Sequence, residues 1–259
     1  MLVLVLDTST PAVTAALVRV RPAPVDQADG RQADGHRADG HAAALPETAA
    51  SHGVDVLAER VTVDARAHGE LLAPGIVDVL AHGGARPADL AAVVAGLGPG
   101  PFTGLRVGLV TAAALGQALA IPTYGVCSLD GIGALTIEPT LVATDARRKE
   151  IYWAVYDKGV RITEPAVNRP ADVLTLLGAL ARERWPAVKA AGDGARMYAE
   201  ALGLPLRDDG IDLTYPAPIA LAEIAADRVR GGAQSEPLNP LYLRRPDAVE
   251  PGAPKLVRQ

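Results

Sequence analysis

Two aspartates close two apolar runs. Asp7 ends LVLVLD and is followed by Thr8-Ser9-Thr10, and Asp145 ends LVATD. Carboxylates and hydroxyls at the C-terminal end of a buried strand stand where open α/β sheets hold ligands. The same residue types also cap tight turns through their own side chains, and the sequence leaves both readings open. A third group is GLGPGPF at 96–102, set between an apolar run from Val93 and an Ala/Leu-rich segment reaching Ala120. That order predicts strand, glycine loop and helix, with Thr103 as the helix N-cap. Such a loop can turn amides toward an anion at the positive end of a helix, or serve only as a structural turn. No Lys-Ser/Thr pair follows the glycines, so it is not a Walker A loop. Gly192-Asp193-Gly194 is a shorter glycine pair after a later strand.

The predicted helix after the first loop carries Gly104, Gly108, Ala112, Gly116 and Ala120 at every fourth position, a stripe of very small residues down one face. A glycine inside a helix costs roughly 1 kcal/mol relative to alanine, so another backbone is expected to come close there. It is either the protein's own sheet or another chain.

The elements that must position these groups follow from periodicity. Strands are expected at Leu2–Leu6, Thr14–Val20, Val54–Val63 and Val93–Leu97. A helix is expected at His68–His82, with Leu71, Leu72, Ile76, Val79 and Leu80 on one face and Pro74 inside it. A second set repeats the order: strands at Leu141–Thr144, Glu150–Tyr156 and Val160–Thr163, a helix at Pro170–Arg184, a strand at Ala187–Ala191, and a helix after Gly194 reaching Leu202. Both halves read βββαβα, which makes the chain α/β and fits the duplicated actin-like group. Asp7 and Asp145 are then expected to face one cleft from opposite sides. A late helix at Pro218–Val229 precedes an extended tail. The expected lobes are 1–118 and 119–216, with 217–259 packing back across them.

Residues 22–53 break the pattern. ADG occurs three times at five-residue spacing, large apolar residues are nearly absent, and His36, His41 and His52 show no repeated ligand spacing. This stretch is expected to be a disordered insertion. The chain of 259 residues has a formal charge of −5, which argues against a free-standing nucleic-acid binder, and its single cysteine, Cys127, excludes an internal disulfide. Arg147-Arg148-Lys149 and Arg244-Arg245 are the local basic runs. MLVLVL is too short for a signal core or a membrane span, so a soluble cytoplasmic protein is expected, with no membrane partner.

LDTST, ARAHGELLAPGIVDVL, GLGPGPFTGLRVGL, GVCSLDGI, DARRKEIYWAVY and PLYLRR together resemble the bacterial TsaB (YeaZ) family, nearly end to end. Pro101 stands where that family commonly has Ser. The resemblance implies an actin-like fold in two lobes and a non-catalytic scaffold. It would activate the catalytic TsaD subunit that forms N6-threonylcarbamoyladenosine on the adenosine beside the tRNA anticodon. It implies a TsaD-like partner, a TsaE-like ATPase, self-association as a further use of the same surface, and contact with tRNA through the complex rather than directly. Helices 68–82 and 103–119 would form that surface, with Leu71, Leu72, Pro74, Ile76 and Val79 facing Gly104, Gly108, Leu109 and Ala112. TsaD holds its metal through two histidines at i, i+4; here His68 is followed by Leu72, so neither metal nor cofactor is expected, and His68 is expected to be a cap or surface residue. The alternative is an ATPase or kinase of the same fold using Asp7, Thr8, Asp145, Gly192 and Gly194 as nucleotide contacts.

Overall fold

The computed structural model describes residues 1–22, 53–184, 188–208 and 210–244. Apart from its first and last residues, the repeat-bearing stretch expected as an insertion lies outside them. The first sheet is built around β1 (Leu2–Asp7), whose Leu4 and Leu6 enter one core while Val3 and Val5 enter another. Alternate residues of a strand face opposite sides, so a strand covered on both faces must be apolar throughout. β2 (Ala12–Val20) returns antiparallel to β1, and β3 (Val54–Val63) pairs antiparallel with β2. α1 (His68–His82) carries the chain to β4 (Leu90–Gly96), parallel to β1. α2 (Phe102–Leu119) then leads to β5 (Thr123–Val126), parallel to β4. The sheet order is β3-β2-β1-β4-β5.

Thr103 is not the cap of α2. The helix begins one residue earlier, and the capping position is Pro101, whose extended backbone (φ −59°, ψ 132°) has no side chain able to accept an amide. Proline fixes φ near this value, which sets the start of the helix without a capping hydroxyl.

A short helix, α3 (Asp130–Gly133), precedes the second sheet. β6 (Thr140–Asp145) and β7 (Ile151–Asp157) pair antiparallel. β8 (Val160–Arg161) and β9 (Ala166–Asn168) both pair with β7. The single third strand expected at Val160–Thr163 is thus two short pieces. The break has a local cause: Val155 N–H, next in line on β7, is taken by the Thr163 hydroxyl at 2.9 Å. α4 (Pro170–Arg184), β10 (Lys189–Ala191), α5 (Asp193–Met197) and α6 (Ala199–Leu202) follow, with β10 parallel to β6. The order β10-β6-β7-β8 repeats β4-β1-β2-β3 of the first sheet. This is the duplicated actin-like arrangement.

α7 (Pro218–Arg230) lies on the first sheet. Its Leu221, Ala222, Ala225, Ala226 and Val229 pack with Val3, Val5, Ala16, Val18 and Val94. α1 and α2 cover the opposite face through Leu72, Ile76, Val79, Leu105, Leu109 and Ala112. The chain after α7 runs back along the molecule. Glu236 N–H donates to the Thr123 carbonyl at 2.9 Å, Leu241 N–H donates to the Leu97 carbonyl at 2.8 Å, and Arg244 pairs with Glu150 beside the second sheet.

Candidate functional site

The end of β1 is closed by the chain's own donors. Asp7 is buried, and its Oδ1 accepts from Ser9 N–H (2.9 Å) and the Ser9 hydroxyl (2.7 Å). Its Oδ2 accepts from the Ser128 hydroxyl at 2.6 Å, and Ser128 Oγ in turn accepts from Gly98 N–H at 3.0 Å. Burial outweighs these bonds and pushes the Asp7 carboxyl above the usual range. The Thr8 hydroxyl donates to the Gly104 carbonyl (2.8 Å) and accepts from Gly108 N–H (3.0 Å). It reaches between an i, i+4 pair of the α2 ladder. Gly100 rests on the Ser9 carbonyl so closely that a Cβ there would lie 2.2 Å from the oxygen. The Tyr152 hydroxyl from β7 donates to the Gly100 carbonyl at 3.5 Å, bringing the second sheet onto the glycine loop.

The Asp7 carboxylate and the Thr8 hydroxyl are thus both engaged within the chain, and Gly100 packs against the β1–β2 turn. His68 is neither a cap nor a surface residue. It is buried with Nε2–H donating to the Thr10 carbonyl at 2.8 Å, and it packs against Gly104. Leu72, one turn further on, belongs to the core.

The end of β6 is similarly occupied. Asp145 Oδ1 accepts from Arg147 N–H (2.9 Å) and the Tyr198 hydroxyl (3.4 Å), and Arg147 Nε lies 3.7 Å from Oδ2. Asp193 Oδ1 accepts from Asp145 N–H at 3.3 Å. Gly192, at φ +104°, presses on the Ala143 carbonyl, and Gly194 presses on the Thr144–Asp145 peptide. These two glycines are required by close helix–strand packing. Arg147, Arg148 and Lys149 form the β6–β7 turn, each with φ between 55° and 62°. Cys127 is a buried packing residue whose thiol burial pushes up to about 12.

The small-residue stripe faces inward from Gly104 to Gly116, while Ala120, its last member, is exposed beyond the helix end. Gly104 and Gly108 admit His68 and Thr8, Ala112 belongs to the core, and Gly116 backs onto Thr123. Leu72, Ile76, Val79 and Leu109 are also core residues. Of the residues expected on a docking surface, only Pro74 is exposed and Leu71 half-buried. The outward face is a different one. Val77 on α1 and Val110 on α2 are 65% and 66% exposed, and Phe102 is 50% exposed. Arg106 is the only charged residue of α2. By length and composition α2 would suffice to cross a membrane, yet only 33% of it is buried.

A family model described as TsaD, tRNA N6-adenosine threonylcarbamoyltransferase, matches residues 55–206. An Escherichia coli protein described as tRNA threonylcarbamoyladenosine biosynthesis protein TsaB is 31% identical over 194 residues, covering 69% of this chain and 81% of that protein. The chain belongs to the TsaB (YeaZ) family. A solved structure, YeaZ from Pseudomonas aeruginosa, superposes with a TM-score of 0.64 at 26% identity, covering 93% of this TsaB-family chain and 99% of that one. An uncharacterized protein of Mycobacterium tuberculosis is 46% identical over 246 residues, 95% of this chain and 93% of its own.

Within this TsaB-family chain, Asp193 is a buried acid that sequence reading passed over as part of a glycine turn. Among the described residues its Oδ2 has no hydrogen-bond partner, nor has the buried Thr144 hydroxyl. Burial is the main cause that raises its carboxyl from 3.8 to about 6, with the Asp145 charge adding to it. The folded protein therefore binds this proton more tightly than the unfolded chain does. The resulting stability is full below about pH 4 and is lost as pH rises through about 6. Asp193→Asn keeps the acceptor for Asp145 N–H and removes the titration. Thermal unfolding is expected to show Asn more stable by on the order of 2 kcal/mol at pH 7.5 and level with wild type at pH 4. An equal effect at both values would mean that the proton is not the cause.

Proposed function

We propose that this chain is the non-catalytic subunit of the assembly that forms N6-threonylcarbamoyladenosine on tRNA, docking a TsaD-like subunit through the outward faces of α1 and α2. The observation that carries the docking reading is α2 itself: its one charge is Arg106, and only a third of the helix is buried. Large apolar side chains left exposed, as Phe102 and Val110 are on α2 and Val77 is on α1, mark an interaction site. α1 and α2 both pack on the same side of the first sheet, so their outer faces make one surface. A TsaE-like ATPase would join the assembly, tRNA would be met through the complex, and self-association would use the same face. The role is cytoplasmic. The parts are an N-terminal lobe that runs past the expected boundary at 118 to include β5 (Thr123–Val126) of the first sheet, a second lobe built on the second sheet as far as 216, and the segment from 217 that packs back on the first.

The ATPase or kinase alternative has less support. Thr8, Ser9 and Asp7 are engaged internally, and Gly100 packs against the turn that carries them. Light scattering of this chain mixed with the TsaD-like subunit from the same source is expected to show a mixed complex. Threonylcarbamoyladenosine formation on a tRNA transcript, with the other components supplied, is expected to require the chain. ATP turnover by the isolated chain, or modification at full rate without it, would overturn the proposal.

A further inference from the structure

Phe102 and Arg106 begin the exposed ridge of α2 that continues at Val110, one turn apart each time. Tyr242 from the C-terminal tail stacks on Phe102, with ring centroids 5.2 Å apart and planes inclined by 25°. The Arg106 guanidinium carbon sits 3.6 Å above the centre of the Phe102 ring. Arg106 Nε–H donates to the Tyr242 hydroxyl at 2.7 Å. The tail is held in place for this by Leu241, whose N–H is bonded to the Leu97 carbonyl. Two aromatic side chains thus fix the plane and the direction of one guanidinium. Its terminal nitrogens have no acceptor among the described residues. A planar fork held this way matches a carboxylate, which takes two parallel N–H donors. Ordering the side chain in advance removes much of the entropy cost of using it in binding, and arginine with flanking aromatics is the composition of interface hot spots.

We propose that Arg106, held over the Phe102 ring and by the Tyr242 hydroxyl, is the polar anchor of the docking face and receives a carboxylate of the TsaD-like partner. This rests on the docking reading above. Charge complementarity carries the choice of partner group: the ridge is otherwise uncharged, so the guanidinium is its one point of electrostatic selection.

The test is titration of the TsaD-like subunit into wild type, Arg106→Ala, Arg106→Lys and Tyr242→Phe, with Val77→Arg/Val110→Arg as the reference that blocks the whole face. Arg106→Ala is expected to weaken binding about 30-fold or more, and Arg106→Lys at least about tenfold, because an ammonium keeps the charge but not the fork. Tyr242→Phe keeps the stack and loses one hydrogen bond, for an expected loss of about three- to tenfold. Raising salt is expected to weaken wild type more than Arg106→Ala. If the reference variant blocks binding and Arg106→Ala binds within about threefold of wild type, the anchor is overturned and the docking face stands. If the reference variant binds normally, the docking face itself is misplaced. If Arg106→Ala leaves the protein complex intact but lowers tRNA retention by the assembled complex, the guanidinium meets a phosphate and the carboxylate assignment is overturned.

Discussion

Val77→Arg combined with Val110→Arg is expected to lower affinity for the TsaD-like subunit by about 100-fold or more while leaving the chain folded. Both side chains point into solvent, so arginine there meets no wall of the protein's own core. Surface changes of this kind usually alter stability by no more than about 0.5 kcal/mol. On a closed apolar interface the same residues would bury two unpaired charges, which costs several kcal/mol. Light scattering for the complex and urea denaturation for the free chain separate the two effects. A complex that survives both arginines would move the interface elsewhere. The inward stripe makes the contrast. Gly108→Arg and Ala112→Arg drive a charge into the β1–β2 turn and the core, so a lost complex in that pair would report unfolding.

Gly108→Ala is expected to destabilise the fold by about 2–4 kcal/mol, although alanine is the better helix former by roughly 1 kcal/mol. A Cβ at this position would lie 2.4 Å from the Thr8 hydroxyl oxygen. That oxygen both donates to the Gly104 carbonyl and accepts from Gly108 N–H, so it cannot retreat without leaving both. Thr8→Ala removes the obstacle and lets the helix close its own i, i+4 bond, at an expected cost of about 1–2 kcal/mol. The double variant should then cost at least about 1 kcal/mol less than the sum of the two, because the clash exists only while Thr8 is present. Urea denaturation of the four proteins reads this coupling directly. Additive losses would mean that the glycine is required by something other than Thr8.

These two pairs show where sequence reasoning reached and where it stopped. Spacing of apolar residues located the sheets and the long helices, because a strand buried on both faces and an amphipathic helix each impose a period on the chain. The glycine stripe was legible as a demand for close approach. Its direction was not, since the approaching atom belongs to Thr8, about a hundred residues away. Asp7 was legible as a carboxylate at a strand end, but Ser128, which occupies it, carries no local signal. The Phe102–Arg106–Tyr242 group joins α2 to a tail 136 residues later, and no periodicity records such a pairing. Val110 could have been found: a large β-branched residue on the side of a helix opposite its small-residue face is a local signal of an outward apolar ridge.

The covering of β1 has a consequence for how the protein is made. Val3 and Val5 leave the ribosome long before the side chains that shield them, Leu221 to Val229. Throughout elongation the nascent first sheet can close only its α1–α2 side, and its other side stays open to water and to neighbouring chains. The first lobe is therefore begun before the second and completed after it, so a ribosome that stalls before Pro218 holds a sheet with an exposed apolar face, the kind of surface that chaperones exist to cover.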